Sequence, residues 1–88
     1  ALVVTDESPK DYGAAFDTIS VCLSKGLGAP MGSVLVGKQK FMDKAMRVRK
    51  VLGGGMRQVG FAAAAGLYAL EHNWQRMDED HKKAQELY

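Results

Sequence analysis

From residue 18 the chain alternates. Ile19, Val21 and Leu23 are spaced by Thr18, Ser20, Cys22 and Ser24. That period of two predicts a half-buried strand over 18–24. A second short run, Ser33-Val34-Leu35-Val36-Gly37, predicts another strand. Only Lys25 to Gly32 lie between the two. A parallel crossover needs a dozen residues or more, so the two strands, if paired, are antiparallel, at the edge of a larger sheet.

Downstream the period lengthens. Phe41, Ala45, Val48 and Leu52 recur at helical steps, which predicts a helix over Gln39–Leu52 with Lys40, Lys44, Arg47 and Lys50 on its other faces. Gly53-Gly54-Gly55 ends it, since each glycine costs a helix about 1 kcal/mol against Ala. The triplet reads as a hinge or a close backbone approach. Met56–Leu70 is apolar all round and predicts a helix buried on most sides. Small residues at 62–66 leave room for another backbone. Cover for this helix is expected from chain outside the sequence or from a partner subunit.

Asn73 reads as the N-cap of a third helix over Trp74–Tyr88. Trp74, Met77, His81, Ala84 and Tyr88 form its stripe, and Asp78, Glu79 and Asp80 suit the positive end of its dipole. Upstream, residues 1–4 read as a strand or the end of a preceding helix. Thr5–Gly13 reads as a polar connection with a turn signal at Ser8-Pro9.

Lys25 is the residue this layout leaves to be explained. It follows the first strand and precedes Gly26-Leu27-Gly28-Ala29-Pro30. Burial at a strand end lowers a lysine's pKa, and a neutral amine is a nucleophile able to form a Schiff base with an aldehyde such as pyridoxal phosphate. Gly26, Gly28 and Gly32 then leave space for a ring and permit backbone angles closed to other residues. A lysine before a Gly/Pro turn is also, ordinarily, a solvated turn residue. Spacing alone leaves both readings open.

The wording of the sequence adds a resemblance. Val21-Cys22-Leu23-Ser24-Lys25-Gly26-Leu27-Gly28-Ala29-Pro30 resembles the cofactor-lysine segment of the low-specificity L-threonine aldolases. Gly32-Ser33-Val34-Leu35-Val36-Gly37, Arg49 to Gln58 through the triple glycine, and Gly66 to Asn73 resemble the same family in the same order. The resemblance covers nearly all of 17–88.

It implies an α/β fold, part of a fold-type-I (aspartate aminotransferase-like) enzyme dependent on pyridoxal 5'-phosphate: an antiparallel strand pair, then about three helices. It places the end of the large cofactor-binding domain in residues 1–37 and a helical region leading toward a small C-terminal domain in 38–88. It implies a carbon–carbon lyase that cleaves L-threonine or L-allo-threonine to glycine and acetaldehyde. Lys25 is its expected catalytic and cofactor-binding lysine. Arg57 is expected to contact a phosphate or carboxylate, with Lys50 a weaker candidate for the same anion and Ser24 a donor near the phosphate. A salt bridge, a solvated helix face and a strand-end turn are the plain alternatives for those three. Members of the family assemble as homo-oligomers, tetramers among them, and are several times longer than this chain. Their phosphate loop, ring-stacking histidine and pyridine-pairing aspartate are expected upstream of it. The 88 residues alone are therefore expected to be inactive. Another fold-type-I activity, such as β-elimination or transamination, and a non-catalytic truncated subunit are the alternatives.

Composition narrows the rest. A content of 47% hydrophobic and 25% charged residues is that of a globular chain, not a disordered one. The chain starts at Ala1 and stops at Tyr88 within a helical pattern, which also reads as a piece of something larger. No apolar run is long enough for a membrane span. Between Lys38 and Arg57 seven basic residues face one acid, Asp43. Without stacking aromatics beside them they read as a helix surface, and Phe41 as core, so no nucleic-acid partner is expected. A single cysteine, Cys22, excludes an internal disulfide and reads as a small buried hydrophobe. It fits a reduced compartment, so a cytoplasmic location is expected, with the mitochondrion as alternative. His81 reads as a core histidine and His72 as a helix-end residue. Their spacing gives no metal pair.

Overall fold

The computed structural model describes residues 2–88, without the side chains of Val3 and Val4. The elements run α1 (Leu2–Thr5), α2 (Pro9–Ala14), β1 (Thr18–Cys22), β2 (Ser33–Gly37), α3 (Gln39–Val51), α4 (Gly60–His72) and α5 (Met77–Glu86). An antiparallel hairpin followed by three helices is thus the expected α/β arrangement, and the second strand has the expected bounds.

β1 and β2 pair with Thr18 opposite Gly37, Ser20 opposite Leu35 and Cys22 opposite Ser33. They form a two-stranded sheet among the described residues. The alternation puts Ile19 and Val21 across from Val36 and Val34. β1 stops at Cys22 rather than at residue 24, because the chain turns there. The Leu23 N–H still donates to Gly32 O at 2.9 Å, and the Leu23 carbonyl accepts from Ala29 N at 2.9 Å. Helix α3 lies against β2.

Residues 2–5 are helical, in keeping with the helix reading rather than the strand reading of that stretch, and Ala1 lies outside the described residues. Three expectations about the ends of elements change. Ser8-Pro9 opens α2 instead of making a turn. Ser8 Oγ accepts from the Asp11 N–H at 3.1 Å, and Pro9, which has no N–H to lose, sits in the first helical turn. Met56–Val59 stay outside α4, which runs on to His72. Asn73 caps the C-terminus of α4, its N–H donating to Ala69 O, and α5 starts only at Met77.

The triple glycine is a helix stop. Gly53 has φ +86°, its N–H donates to Lys50 O at 3.1 Å, and the Gly54 N–H donates to Arg49 O at 2.8 Å. This pair of bonds is the Schellman ending, which satisfies carbonyls that the last turn leaves unpaired.

The core is small. Leu23, Leu27, Ala29 and Ala69 are buried, with Met77 packed against them. The chain exposes 7454 Å², where a compact monomer of its mass exposes about 5,000 Å². Helix α4 accounts for part of the excess. Only Gly66 and Ala69 of it are buried, while Phe61 is 84% and Leu67 61% exposed. Within these residues the helix is left uncovered on most sides, as expected of one whose cover lies outside them. The α3 stripe shifts as well. Phe41, Val48 and Leu52 are exposed, and Met42, Ala45, Met46 and Arg49 face the groove along Val34 and Leu35 of β2. Both stripes are largely apolar, Arg49 apart, so periodicity did not choose between them. Phe41 carries the Lys40 ammonium 5.2 Å from its ring centre and is no core residue.

Candidate active site

Residues 23–32 join the strands as a loop whose side chains divide into two sets. Leu23, Leu27 and Ala29 point into the core, and Ser24, Lys25, Gly26, Gly28 and Pro30 are exposed. The Lys25 carbonyl accepts from Gly28 N at 2.8 Å, closing a tight turn over 25–28. Lys25 therefore sits at the start of a turn whose third residue is an apolar anchor.

This placement corrects the reason given for the lysine. Lys25 is exposed and not buried at a strand end. Among the described residues its ammonium makes no hydrogen bond or ion pair. Ser24 beside it is exposed too.

The glycines of the loop serve the fold. Gly28 has φ +75° and Gly32 φ +113°, angles that other L-residues rarely adopt. The space beside them is filled by protein. A Cβ on Gly26 would lie 3.0 Å from Met77 Sδ, and one on Gly28 would lie 3.4 Å from Asn73 Nδ2. The glycines thus let the loop settle on the α4–α5 junction. Asn73 completes that contact, its Nδ2 donating to the Leu27 carbonyl at 2.7 Å.

Lys50 and Arg57 belong to another region. Lys50, in the last turn of α3, folds over Gly55, where an added Cβ would meet its Nζ at 3.2 Å. Arg57 is exposed in the turn that leads to α4, and Gln58 after it has φ +50°. The triple-glycine ending brings Lys50 near the segment that carries Arg57. Among the described residues no hydrogen bond or ion pair joins either of them to the Lys25 loop.

Two other side chains differ in part from expectation. Cys22 is exposed, with Ser33 Oγ 3.9 Å from its Sγ. His81 is half-buried and lines a groove of about 470 Å³ with Ile19, Val21, Trp74 and Met77. His72 does end α4, stacked 4.1 Å from Tyr68. No group of three or more metal-ligating side chains exists among the described residues. No helix there is long and apolar enough to cross a membrane.

Asn73 is the residue sequence reasoning assigned to the wrong task. Its partner lies 46 positions away. Gly66 gave a fairer signal, since a glycine inside a helical pattern costs about 1 kcal/mol against Ala and leaves room for a close neighbour.

Comparisons with known proteins give the family of this chain. The sequence model of the family described as beta-eliminating lyase matches residues 1–88. The chain belongs to that family. It is 60% identical over 73 residues to low-specificity L-threonine aldolase 1 of Arabidopsis thaliana, covering 83% of this chain and 20% of that protein. It is 49% identical over 87 residues to a probable low-specificity L-threonine aldolase of Schizosaccharomyces pombe, covering 99% of this chain and 23% of that one. To the low specificity L-threonine aldolase of Escherichia coli O157:H7 it is 49% identical over 84 residues, covering 96% and 25%. The chain thus spans about a fifth to a quarter of the length of these relatives.

Proposed function

We propose that this chain supplies the cofactor-bearing lysine of a pyridoxal-phosphate-dependent aldolase. The reaction cleaves L-threonine or L-allo-threonine to glycine and acetaldehyde. The observation that carries the reading is the match to threonine aldolases across the Lys25 loop, set on a structure that anchors this loop and leaves its amine exposed.

The residues present fit such a cofactor. An unpaired primary amine on a fixed turn is what an aldehyde carbon needs, and Ser24 beside it offers a hydroxyl donor. Arg57 and Lys50 supply cations for a phosphate or a substrate carboxylate, Arg57 with a planar donor fork suited to either. When bound, the cofactor's ring takes up the electron pair released at the amino acid's Cα. In the reaction the β-hydroxyl loses its proton, the Cα–Cβ bond breaks, acetaldehyde departs and Cα is reprotonated to give glycine. For this chain's own residues the tasks are binding and orientation. Lys25 would hold the cofactor through its amine and so set the ring's place. The cationic side chains hold the anionic ends.

Residues 1–37 then close a larger cofactor-binding domain, and 38–88 lead toward a smaller one. The assembled protein is a homo-oligomer, a tetramer as in the family, and cytoplasmic. The exposed apolar sides of α4 are covered there. The 88 residues by themselves do not sustain turnover, because groups expected upstream are needed to hold the ring.

Incubating the full-length protein that carries this segment with cofactor and L-threonine tests the activity. Equal amounts of acetaldehyde and glycine are expected. Ammonia with a keto acid, or amino transfer to an added keto acid, would replace the reading by β-elimination or transamination.

A further inference from the structure

We propose that Asn73 is a positioning residue for Lys25, acting through the Leu27 carbonyl. This rests on the reading of Lys25 as the cofactor lysine.

The loop that presents Lys25 is intrinsically loose. Leu27 stands between Gly26 and Gly28, and glycine gives up more backbone freedom on ordering than any other residue. Three hydrogen bonds restrict the loop from within: Leu23 N to Gly32 O, Ala29 N to Leu23 O and Gly28 N to Lys25 O. All three join residues 23–32 to one another. They fix the loop's shape and travel with it if it moves. The Asn73 amide is different. Among the described hydrogen bonds it is the one that ties this loop to an element outside the hairpin, and at 2.7 Å it is short.

Asn73 is itself held. Its N–H donates to Ala69 O at the end of α4, and Ala69 is among the buried core residues. The amide therefore transmits the position of the buried Gly66–Ala69 turn of α4 to the carbonyl two residues after Lys25. The apolar anchors Leu23 and Leu27 seat the loop on α4 but do not fix its direction, since dispersion contacts are not directional. A hydrogen bond to a carbonyl is directional. Asn73 sets where the turn over 25–28 sits against the α4–α5 junction, and with it the origin of the lysine side chain.

The test uses the full-length protein carrying this segment, as parent, Asn73→Ala and Asn73→Asp. Each cofactor-free protein is mixed with saturating pyridoxal phosphate, and bond formation is stopped by borohydride at successive times. The tagged residue and its yield are read by peptide mapping. Asp matches Asn in size, but its carboxylate has no hydrogen to give a carbonyl. Both variants are expected to form the bond at position 25 about five- to tenfold more slowly than the parent, Asp at least as slowly as Ala. Their folded fraction by circular dichroism is expected to equal the parent's. Asn73→Ser, which keeps a donor on a shorter arm, is expected between parent and Ala and carries the comparison if either variant does not fold. Parental rates at position 25 would overturn the positioning role and leave the lysine assignment standing. So would a deficit that only tracks the folded fraction. A parent tagged at another residue would overturn the assignment itself.

Discussion

Leu23 fills the space that a side chain at Gly66 would occupy. Its Cδ1 lies 2.9 Å from where a Cβ on Gly66 would stand. The last apolar residue before the lysine turn is thus docked on a helix that carries no side chain at the contact. The lysine's position depends on a glycine 41 residues downstream.

The first prediction contrasts two glycines of α4. In an exposed helix Gly→Ala gains about 1 kcal/mol. At Gly60 an added Cβ meets nothing within 4 Å, so Gly60→Ala should stabilise by up to about that amount. At Gly66 the same gain is opposed by overpacking, typically about 1–3 kcal/mol, so Gly66→Ala should be neutral to destabilising. Urea unfolding of the two variants gives the comparison. Equal stabilisation by both would remove the Leu23–Gly66 contact from the account.

Gly53 ends α3 in the left-handed region. Alanine there incurs about 1–2 kcal/mol of steric cost, partly offset by a stiffer unfolded chain. Gly53→Ala should therefore lose roughly 1 kcal/mol, measured by denaturant titration. No loss would mean that the Schellman ending is not formed in solution.

Gln58 presents the opposite case, a non-glycine residue at φ +50° beside Arg57. Gln58→Gly should relieve about 1 kcal/mol of strain, less what glycine's extra freedom removes, for a net gain of up to roughly 0.5 kcal/mol. A clear loss in thermal unfolding would show that the glutamine side chain makes a contact worth more than the strain.

On α5, Lys82 and Asp78 form an exposed ion pair at 2.7 Å. The hydrogen bond to Asp78 and then its charge raise the Lys82 pKa above the ordinary 10.5. A raised folded value means that the pair's support is present below about pH 10.5 and is lost as pH rises through the folded value. Helicity of α5 should fall slightly over that range at low salt. It should respond less at 1 M salt, where screening has already weakened the pair. An equal response at both salt concentrations would assign the change to another group.

The strand pair and its direction were legible because period two and a short connection leave little choice. Ser33–Gly37 was read to the residue. Helix interiors were legible too, but their ends were not. Met56–Val59 have apolar residues that suit a helix, and nothing local says that Gln58 turns left-handed. Ser8-Pro9 is a fair signal for either a turn or a helix start, and the choice depends on whether residues 9–14 go on to form helical bonds. The Lys25 segment was singled out by its wording, whereas the physical argument attached to it, burial of the amine, was not what the fold shows. The buried partners are the residues on either side. Asn73 was hidden for a plain reason. Its local sequence fits a cap, and its carbonyl partner is brought to it only by the packing of Leu23 and Leu27 on α4.

The claim on which the rest stands is that position 25 carries the cofactor. Borohydride reduction of the cofactor-loaded full-length protein, followed by peptide mapping, tests it directly. The pyridoxyl group should be found on Lys25 and abolished in Lys25→Ala. A stoichiometric tag on any other lysine, with Lys25 unmodified, would contradict it.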